Sequence, residues 1–392
     1  MGLGLAATGL PADARAAYDE VANRITRGAQ SQRVQMGKGW LDLALDDPLT
    51  ARWELHSAVP TRYRMGSTRI SLWAQAWLAR TEFALGAWDD AIHTVNRAVA
   101  QLETTGLELL RPLVHWTGAQ THALRGNWDE ARTHLRLASA GPHDYEVMLI
   151  PSCIARAQCA EAQADYETVL RALEPLTRIR IRQGIDEPGF WPWHDIYANA
   201  LVVTNRAEEA DAFLDPHERR AQEREHRSTR ARLGYVRGRI AAARGDIDAA
   251  KDAFEGSLAQ LVGLPLPYER ARVNFAYGQT LRRAGKRREA DNVLHNARDA
   301  YSALGAGAYV QRCDRELKAG GMHGKRAGAD LTELTAQEKA VAALVARGMT
   351  NRQAAVELFI SVKTVQFHLT SVYGKLGIAT RAELAAHFRP DE

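Results

Sequence analysis

A six-residue pattern recurs along this chain at a nearly constant interval, and nothing else in the sequence restricts the fold as strongly. Gly86-Ala87-Trp88-Asp89-Asp90-Ala91 is followed by Gly126-Asn127-Trp128-Asp129-Glu130-Ala131 and Ala164-Asp165-Tyr166-Glu167-Thr168-Val169. Asn205-Arg206-Ala207-Glu208-Glu209-Ala210, Gly245-Asp246-Ile247-Asp248-Ala249-Ala250 and Gly285-Lys286-Arg287-Arg288-Glu289-Ala290 complete the set. The intervals are 40, 38, 41, 40 and 40 residues, and a weaker copy, Asp46 to Ala51, lies 40 before the first. A fixed period of this size marks a stacked array of identical supersecondary units.

The chemistry of one unit is readable. An Ala/Leu-rich stretch such as Ala74-Gln75-Ala76-Trp77-Leu78 runs up to the Gly. Gly adopts the left-handed conformation that ends a helix. The acidic residues after it suit the positive end of a new helix dipole. Ala91, Ile92, Val95, Ala98 and Val99 then form an apolar stripe at helical spacing. Each unit is therefore expected to be a helical hairpin, which must stack to bury its apolar face. The array resembles the tetratricopeptide type, with units longer than the usual length of about 34 residues. Six or seven units cover residues 30–318.

Two segments inside the array stand out. Pro188-Gly189-Phe190-Trp191-Pro192-Trp193-His194-Asp195 crowds rings around two prolines. It reads either as a stiff loop that plugs the space between units or as an aromatic platform for a small molecule or protein effector, with Phe190, Trp191 and Trp193 as the candidate residues. Residues 217–239 hold eight Arg, among them Arg219, Arg220, Arg224, Arg227, Arg230 and Arg232, interleaved with Glu218, Glu223 and Glu225. That pattern is expected to be a solvated helix face, with Glu223 and Arg227 as an i,i+4 pair; an acidic partner is the alternative.

Composition excludes more than it indicates. The net charge of +4 is split evenly, with +2 in residues 325–392 (nine Lys/Arg, seven Asp/Glu) and +2 elsewhere, so charge alone does not point to nucleic acid. Three cysteines, Cys153, Cys159 and Cys313, are too few and too odd for a disulfide framework and fit a reducing compartment. The start, Met1 to Leu10, has no basic residue and three Gly, unlike a secretory signal. No run approaches the length of a membrane span, so a cytoplasmic protein without membrane contact is expected. The thirteen His are scattered. No metal-ligand spacing, nucleophile elbow or phosphate-binding Gly-rich loop is present, so no metal, no cofactor and no enzymatic activity are expected.

After Lys318 the composition changes. Residues 319–328, with four Gly, read as part of a flexible linker over 319–329 between an array at 1–318 and a C-terminal domain at 330–392. Four helices are expected in that domain. Thr335 with Glu338 forms a capping box, and Val341, Leu344 and Val345 give the first helix its apolar face before Gly348. Thr350 with Gln353 opens a second, short helix to about Leu358. Phe359-Ile360-Ser361 is the turn, and a third helix runs over 362–376 to Gly377. Thr380 with Glu383 opens the fourth, about Arg381 to Phe388. On the third helix Val365, Leu369, Val372 and Leu376 share one stripe, His368 lies at its edge, and Lys363, Gln366, Phe367 and Thr370 point the other way. A short helix, a tight turn and a longer helix with a polar outer face suit insertion into a major groove.

At this point the segment resembles the LuxR/response-regulator helix-turn-helix family. Leu334-Thr335, Glu338, Gly348, Asn351, Leu358, Ile360-Ser361, Lys363-Thr364-Val365, His368, Lys375-Leu376-Gly377 and Arg381 stand in order at the family's spacings. One departure is Gln353-Ala354-Ala355, where the family usually has Glu-Ile-Ala. Pro267 to Arg272, Leu281 to Gly285 and Leu304 to Ala306 resemble the repeat region of the large ATP-binding LuxR-type regulators, though no phosphate-binding loop accompanies them. The resemblance implies an all-α chain, a tetratricopeptide-like solenoid followed by a four-helix LuxR-type domain, acting as a transcription regulator on double-stranded DNA. It implies base contacts from Gln366, Phe367 and Thr370. It implies phosphate contacts from Thr350, Asn351, Arg352, Ser361, Lys363, Thr364, His368 and Lys375, and a dimer on DNA paired through the fourth helix. The competing reading is a protein-interaction adaptor in which a degenerate helix-turn-helix serves only dimerisation.

Overall fold

The structure, a computed structural model, describes residues 2–25, 28–59, 66–140, 146–180, 182, 184–319, 334, 336–358, 362–376, 378 and 380–387. These residues form helices and turns, and no strand occurs among them. The chain divides into two compact units, residues 1–317 and 318–392.

In the first unit, α1 (Gly2–Ala7) and α2 (Pro11–Arg24) precede seven helical hairpins. These pair α3 (Gly28–Ala44) with α4 (Pro48–Ser57), α5 (Thr68–Ala84) with α6 (Trp88–Thr105), and α7 (Arg111–Arg125) with α8 (Trp128–Leu137). Next come α9 (Glu146–Ala162) with α10 (Tyr166–Thr177), α11 (His194–Val203) with α12 (Ala207–Glu223), α13 (Arg227–Ala243) with α14 (Ile247–Gln260), and α15 (Pro267–Arg283) with α16 (Arg287–Ala303). A final helix, α17 (Gly307–Ala319), follows the last hairpin.

The recurring hexapeptide is the turn of each hairpin, and its positions have fixed jobs. The first residue is left-handed in all seven copies, with φ of +64° at Asp46, +81° at Gly86, +89° at Gly126, +61° at Ala164, +63° at Asn205, +85° at Gly245 and +76° at Gly285. The second residue is the N-cap of the following helix in every copy, and its N–H donates to the carbonyl five residues back at 2.8–3.0 Å. This 6→1 bond satisfies a carbonyl that the ending helix leaves unpaired. Where the second residue is Asp47, Asp165 or Asp246, its carboxylate also accepts from a backbone N–H of the new helix. The sixth residue, Ala51, Ala91, Ala131, Val169, Ala210, Ala250 or Ala290, is buried against the hairpin partner. The acidic residues pair with neighbouring units as well as with the helix dipole: Asp90 with Arg52, Asp89 with Arg125, Glu208 with Arg244 and Glu289 with Lys251. The weak copy at Asp46 is thus a full member.

Stacking is uniform enough that side chains one repeat apart bond to each other. Arg80 donates to Gln120, Arg239 to Gln279, and Trp116 to Gln158, at 2.7–2.8 Å. The array also coils back on itself. His226 Nε2 donates to the carbonyl of Ala44 at 2.7 Å, and the N–H of Ser228 donates to Asp46 at 2.8 Å, each across 182 residues. The first helices of successive hairpins therefore face a common interior.

The arginine-rich stretch differs from the expected single exposed face. Helix α12 ends at Glu223 and α13 begins at Arg227, so these two residues straddle a helix break. Arg227 donates to the carbonyl of Val262 instead, Arg224 pairs with Glu187, and Arg237 pairs with Asp211 and Glu218. Two helices rather than one carry the charge, and Arg237 and Arg239 tie neighbouring hairpins together.

The second unit contains α18 (Ala336–Ala346), α19 (Asn351–Glu357), α20 (Val362–Leu376) and α21 (Arg381–His387) around its own core. Val341, Val345, Ala354, Val365, Leu369, Val372, Leu376 and Leu384 are buried there.

Candidate nucleic-acid interface and internal cavity

The second unit is built by local rules that the sequence states openly. Thr350 caps α19 in a complete capping box: its N–H donates to Gln353 Oε1 at 2.9 Å, and its Oγ1 accepts from the N–H of Gln353 at 3.3 Å. Gln353, which stands where the family pattern has Glu, completes the cap here. Thr380 accepts from the N–H of Glu383 at the start of α21. Two side-chain ties then hold the helices to one another. Ser371 Oγ on α20 donates to the buried carboxylate of Glu338 on α18 at 2.6 Å. Arg381 on α21 donates to Asn351 Oδ1 at 3.2 Å and to the carbonyl of Met349.

These contacts set the orientation of α20. Its stripe of Val365, Leu369, Val372 and Leu376 is buried, which leaves Gln366 and Thr370 exposed on the opposite side. The hydroxyl of Thr370 donates to the carbonyl of Gln366 at 3.0 Å, which keeps its oxygen lone pairs outward. Thr364 and His368 are half-buried at the edges. On the preceding helix Arg352 is exposed and Thr350 is exposed at the cap, whereas Asn351 spends its carbonyl oxygen on Arg381. Ser361 and the side chains of Lys363, Phe367 and Lys375 lie outside the described residues, as do Thr335 and the linker at 320–329. Arg381 was legible as part of the family pattern, but its role as the tie between α21 and the start of α19 was not.

In the first unit the aromatic segment divides. Phe190, Trp191 and Trp193 are all buried. Phe190 borders a cavity at the centre of the array, and Trp191 lies among Trp40, Trp77 and Trp116 with ring centroids 5.4–6.1 Å away. Trp193 does not line it; its ring packs against Tyr197 and Phe213. The segment therefore plugs the array at one end and walls the cavity at the other.

The cavity gives the centre of a water-sized sphere about 90 Å³. Its apolar wall comes from Trp40, Trp77, Trp116 and Phe190, and its charged wall from Arg80, Arg232, Glu161, Glu269 and Arg272. Arg272 is buried among carboxylates and a phenol: Asp195 at 2.8 Å, Glu269 at 3.2 Å, Glu161 at 3.3 Å and the Tyr235 hydroxyl at 3.0 Å. Arg80 is different. Burial pulls its guanidinium down to about 9, low for an arginine yet still charged at neutral pH.

One further cluster has metal-ligand chemistry. Asp186, His194 and His217 bring their ligand atoms within 4.8 Å of one another. Asp186 already accepts from His194 at 2.9 Å and from both arms of Arg182, with Arg220 3.9 Å away. Two guanidinium groups beside the same carboxylate disfavour a dication, so Asp186 and His194 form an ion-pair network with Arg182, while His217 Nδ1 is buried without a hydrogen-bond partner among the described residues. Cys153, Cys159 and Cys313 are buried free thiols, and burial raises all three well above the usual thiol range. None of the helices among the described residues is long and apolar enough to cross a membrane.

A short helix, α19, followed by a longer one, α20, with an exposed polar face is the arrangement of a helix-turn-helix DNA-binding domain. Residues 332–388 match the family described as bacterial regulatory proteins, luxR family, so the C-terminal domain is of the LuxR type. A Mycobacterium bovis protein named as an HTH-type transcriptional regulator is 42% identical over 85 residues, which is 22% of this chain and 9% of that protein. The transcriptional regulatory protein LiaR of Bacillus subtilis is 39% identical over 54 residues, 14% of this chain and 26% of its own length. The chain thus spans only a small part of these relatives. The crystal structure of Rap protein complexed with competence and sporulation factor shares the fold, with a TM-score of 0.50 at 15% identity over 92% of this chain and 95% of Rap. The chain is therefore an all-α, tetratricopeptide-like array with a LuxR-type domain at its C-terminal end.

Proposed function

We propose that this protein is a sequence-specific, cytoplasmic transcription regulator that binds double-stranded DNA through α20 and receives an effector in its helical array. The observation that carries the reading is the exposure of Gln366 and Thr370 directly across α20 from a fully buried stripe, within a segment that matches the luxR family. Those two residues and Phe367 are the base-reading set. Thr350, Arg352, Ser361, Lys363, Thr364, His368 and Lys375 grip phosphates, and Asn351 contributes through its amide N–H groups. The protein binds as a dimer, with α21 pairing two domains on half-sites about one helical turn apart. The internal cavity is the effector site, and Phe190 is the member of the aromatic segment that borders it. Rap, which shares the fold, is described in complex with a factor, which supports a receiving role for such an array.

The test is selection of bound sequences from a random duplex library, followed by footprinting on the winner. A recovered consensus with two protected half-sites supports the reading. Binding of the purified chain to no duplex, with both units folded, favours the adaptor in its place.

A further inference from the structure

The cations in the cavity wall are unequally partnered. Arg272 is surrounded by three carboxylates. Arg80 has no carboxylate within ion-pair distance among the described residues. Its guanidinium donates to Gln120 Oε1 at 2.7 Å and lies 4.0 Å over the ring of Trp116 and 4.8 Å over that of Phe83. A guanidinium carries five N–H donors, and the stacking accounts for none of them. Arg80 is only 8% exposed, so water does not solvate it freely. A buried charge without a counterion is costly, and stacking on an indole offsets only part of that cost. The unfilled donors border the cavity, because Arg80 is part of its wall.

Most other polar groups of the wall are already occupied: Gln120 serves Arg80, Gln158 accepts from Trp116, Asp46 accepts from the N–H of Ser228, and Glu161 and Glu269 serve Arg272. Arg232, the third cation of the wall, is only half-buried and donates to Thr229 Oγ1 at 3.1 Å, so water can reach it where it cannot freely reach Arg80. Few hydrogen-bonding groups are left for a polyhydroxylated guest, and the wall carboxylates are not free for a cationic one. The rest of the wall is largely apolar and includes the rings of Trp40, Trp77 and Phe190. A fork of parallel N–H donors matches a carboxylate in geometry and charge.

We propose that the cavity binds a small organic acid, one carboxylate on an apolar body of about one or two rings, with the carboxylate on Arg80 and the body against Trp40, Trp77 and Phe190. This rests on the reading of the array as the effector-receiving unit.

The test is calorimetric titration of the full chain, without DNA, with 2-naphthoate and 4-phenylbutyrate and with their neutral amides. The acids are expected to bind at least tenfold more tightly than the amides. Arg80→Met should bring the acids to the level of the amides, without weakening the amides and without lowering the thermal midpoint, since it removes an unpaired buried charge. Arg80→Lys keeps the cation but not the fork, and should retain a reduced preference for the acids. Arg219→Met, on the outer surface, should change nothing. Equal affinity for acids and amides, unchanged acid binding in Arg80→Met, or no binding of either acid overturns the proposal. Acid binding as expected with no change in DNA affinity supports it and counts against the effector reading alone.

Discussion

A Cβ placed on Gly278 would sit 2.6 Å from Cγ of Leu294, so α15 and α16 touch at a point where only hydrogen fits. The same offset of 16 residues recurs in three other hairpins. Gly39 faces Leu55 at 2.5 Å, Gly118 faces His134 Nδ1 at 2.6 Å, and Gly238 faces Phe254 at 2.8 Å. Gly278→Ala is expected to destabilise the array by about 1–3 kcal/mol through overpacking. Gly256→Ala, where a Cβ meets nothing within 4 Å, should stabilise it by up to about 1 kcal/mol through helix propensity. Thermal melting of the two variants reads the opposite signs; a loss in both would show that the crossing is not the cause.

The hairpin turns make a second prediction. Ala164 holds a left-handed conformation, φ +61°, at the position where four of the seven copies have Gly. Ala164→Gly should stabilise the chain by about 1 kcal/mol, and Gly245→Ala should cost about the same, because a Cβ is disfavoured in that conformation. Chemical denaturation of both variants checks the pair.

Acid should weaken the array through its buried imidazoles. His115 and His134 bring their Nδ1 atoms to 2.9 Å, and burial, with each ring's charge repelling the next, pushes His115 down to about 3. Burial pushes His134 to about 4, and it pushes His217 to about 3. The unfolded chain protonates these groups near pH 6.5, and the folded one does so only well below that. Stability is therefore full above pH 6.5 and falls as the pH drops toward 4, with a slope of at most about 1.4 kcal/mol per pH unit for each histidine. Denaturation midpoints at pH 7 and 5 measure this, and the double variant His115→Gln, His134→Gln should show a flatter dependence.

On DNA, reading bases and gripping phosphates should separate. Gln366→Ala is expected to shift the preference among duplex sequences by about 1–3 kcal/mol. Arg352→Ala, on α19, should weaken all sequences alike and lower the slope of log affinity against log salt by about one. Titrations of a consensus and a scrambled duplex at several salt concentrations decide it. The reverse assignment of effects would mean that α20 lies differently in the groove.

Trp193 is a packing residue. It is fully buried and is not itself part of the cavity lining, so Trp193→Ala should cost about 3–5 kcal/mol in stability. Phe190→Ala, at the cavity wall, should instead change ligand titrations more than the melting temperature. A Trp193→Ala variant that melts normally would refute the assignment.

What the amino-acid order determined by itself is what depends on a few adjacent residues. The hairpin turns, the capping box at Thr350 and Gln353, and the two faces of α20 follow from short-range bonding and helical periodicity, and all are legible without coordinates. Even Asp46, a poor match by letter, takes the left-handed conformation, because backbone geometry tolerates more than one residue type there. What only the tertiary structure decided is what depends on how far the array turns with each repeat. That accumulated rotation brings the carbonyl of Ala44 to His226 and sets Arg272 among Glu161, Asp195 and Glu269. It also splits the ring-rich segment, sending Phe190 to the cavity wall and Trp193 into packing. Small rotations between neighbours leave no local signature in the sequence, yet summed over seven hairpins they leave Arg80, among the described residues, without a carboxylate partner at the wall of the cavity.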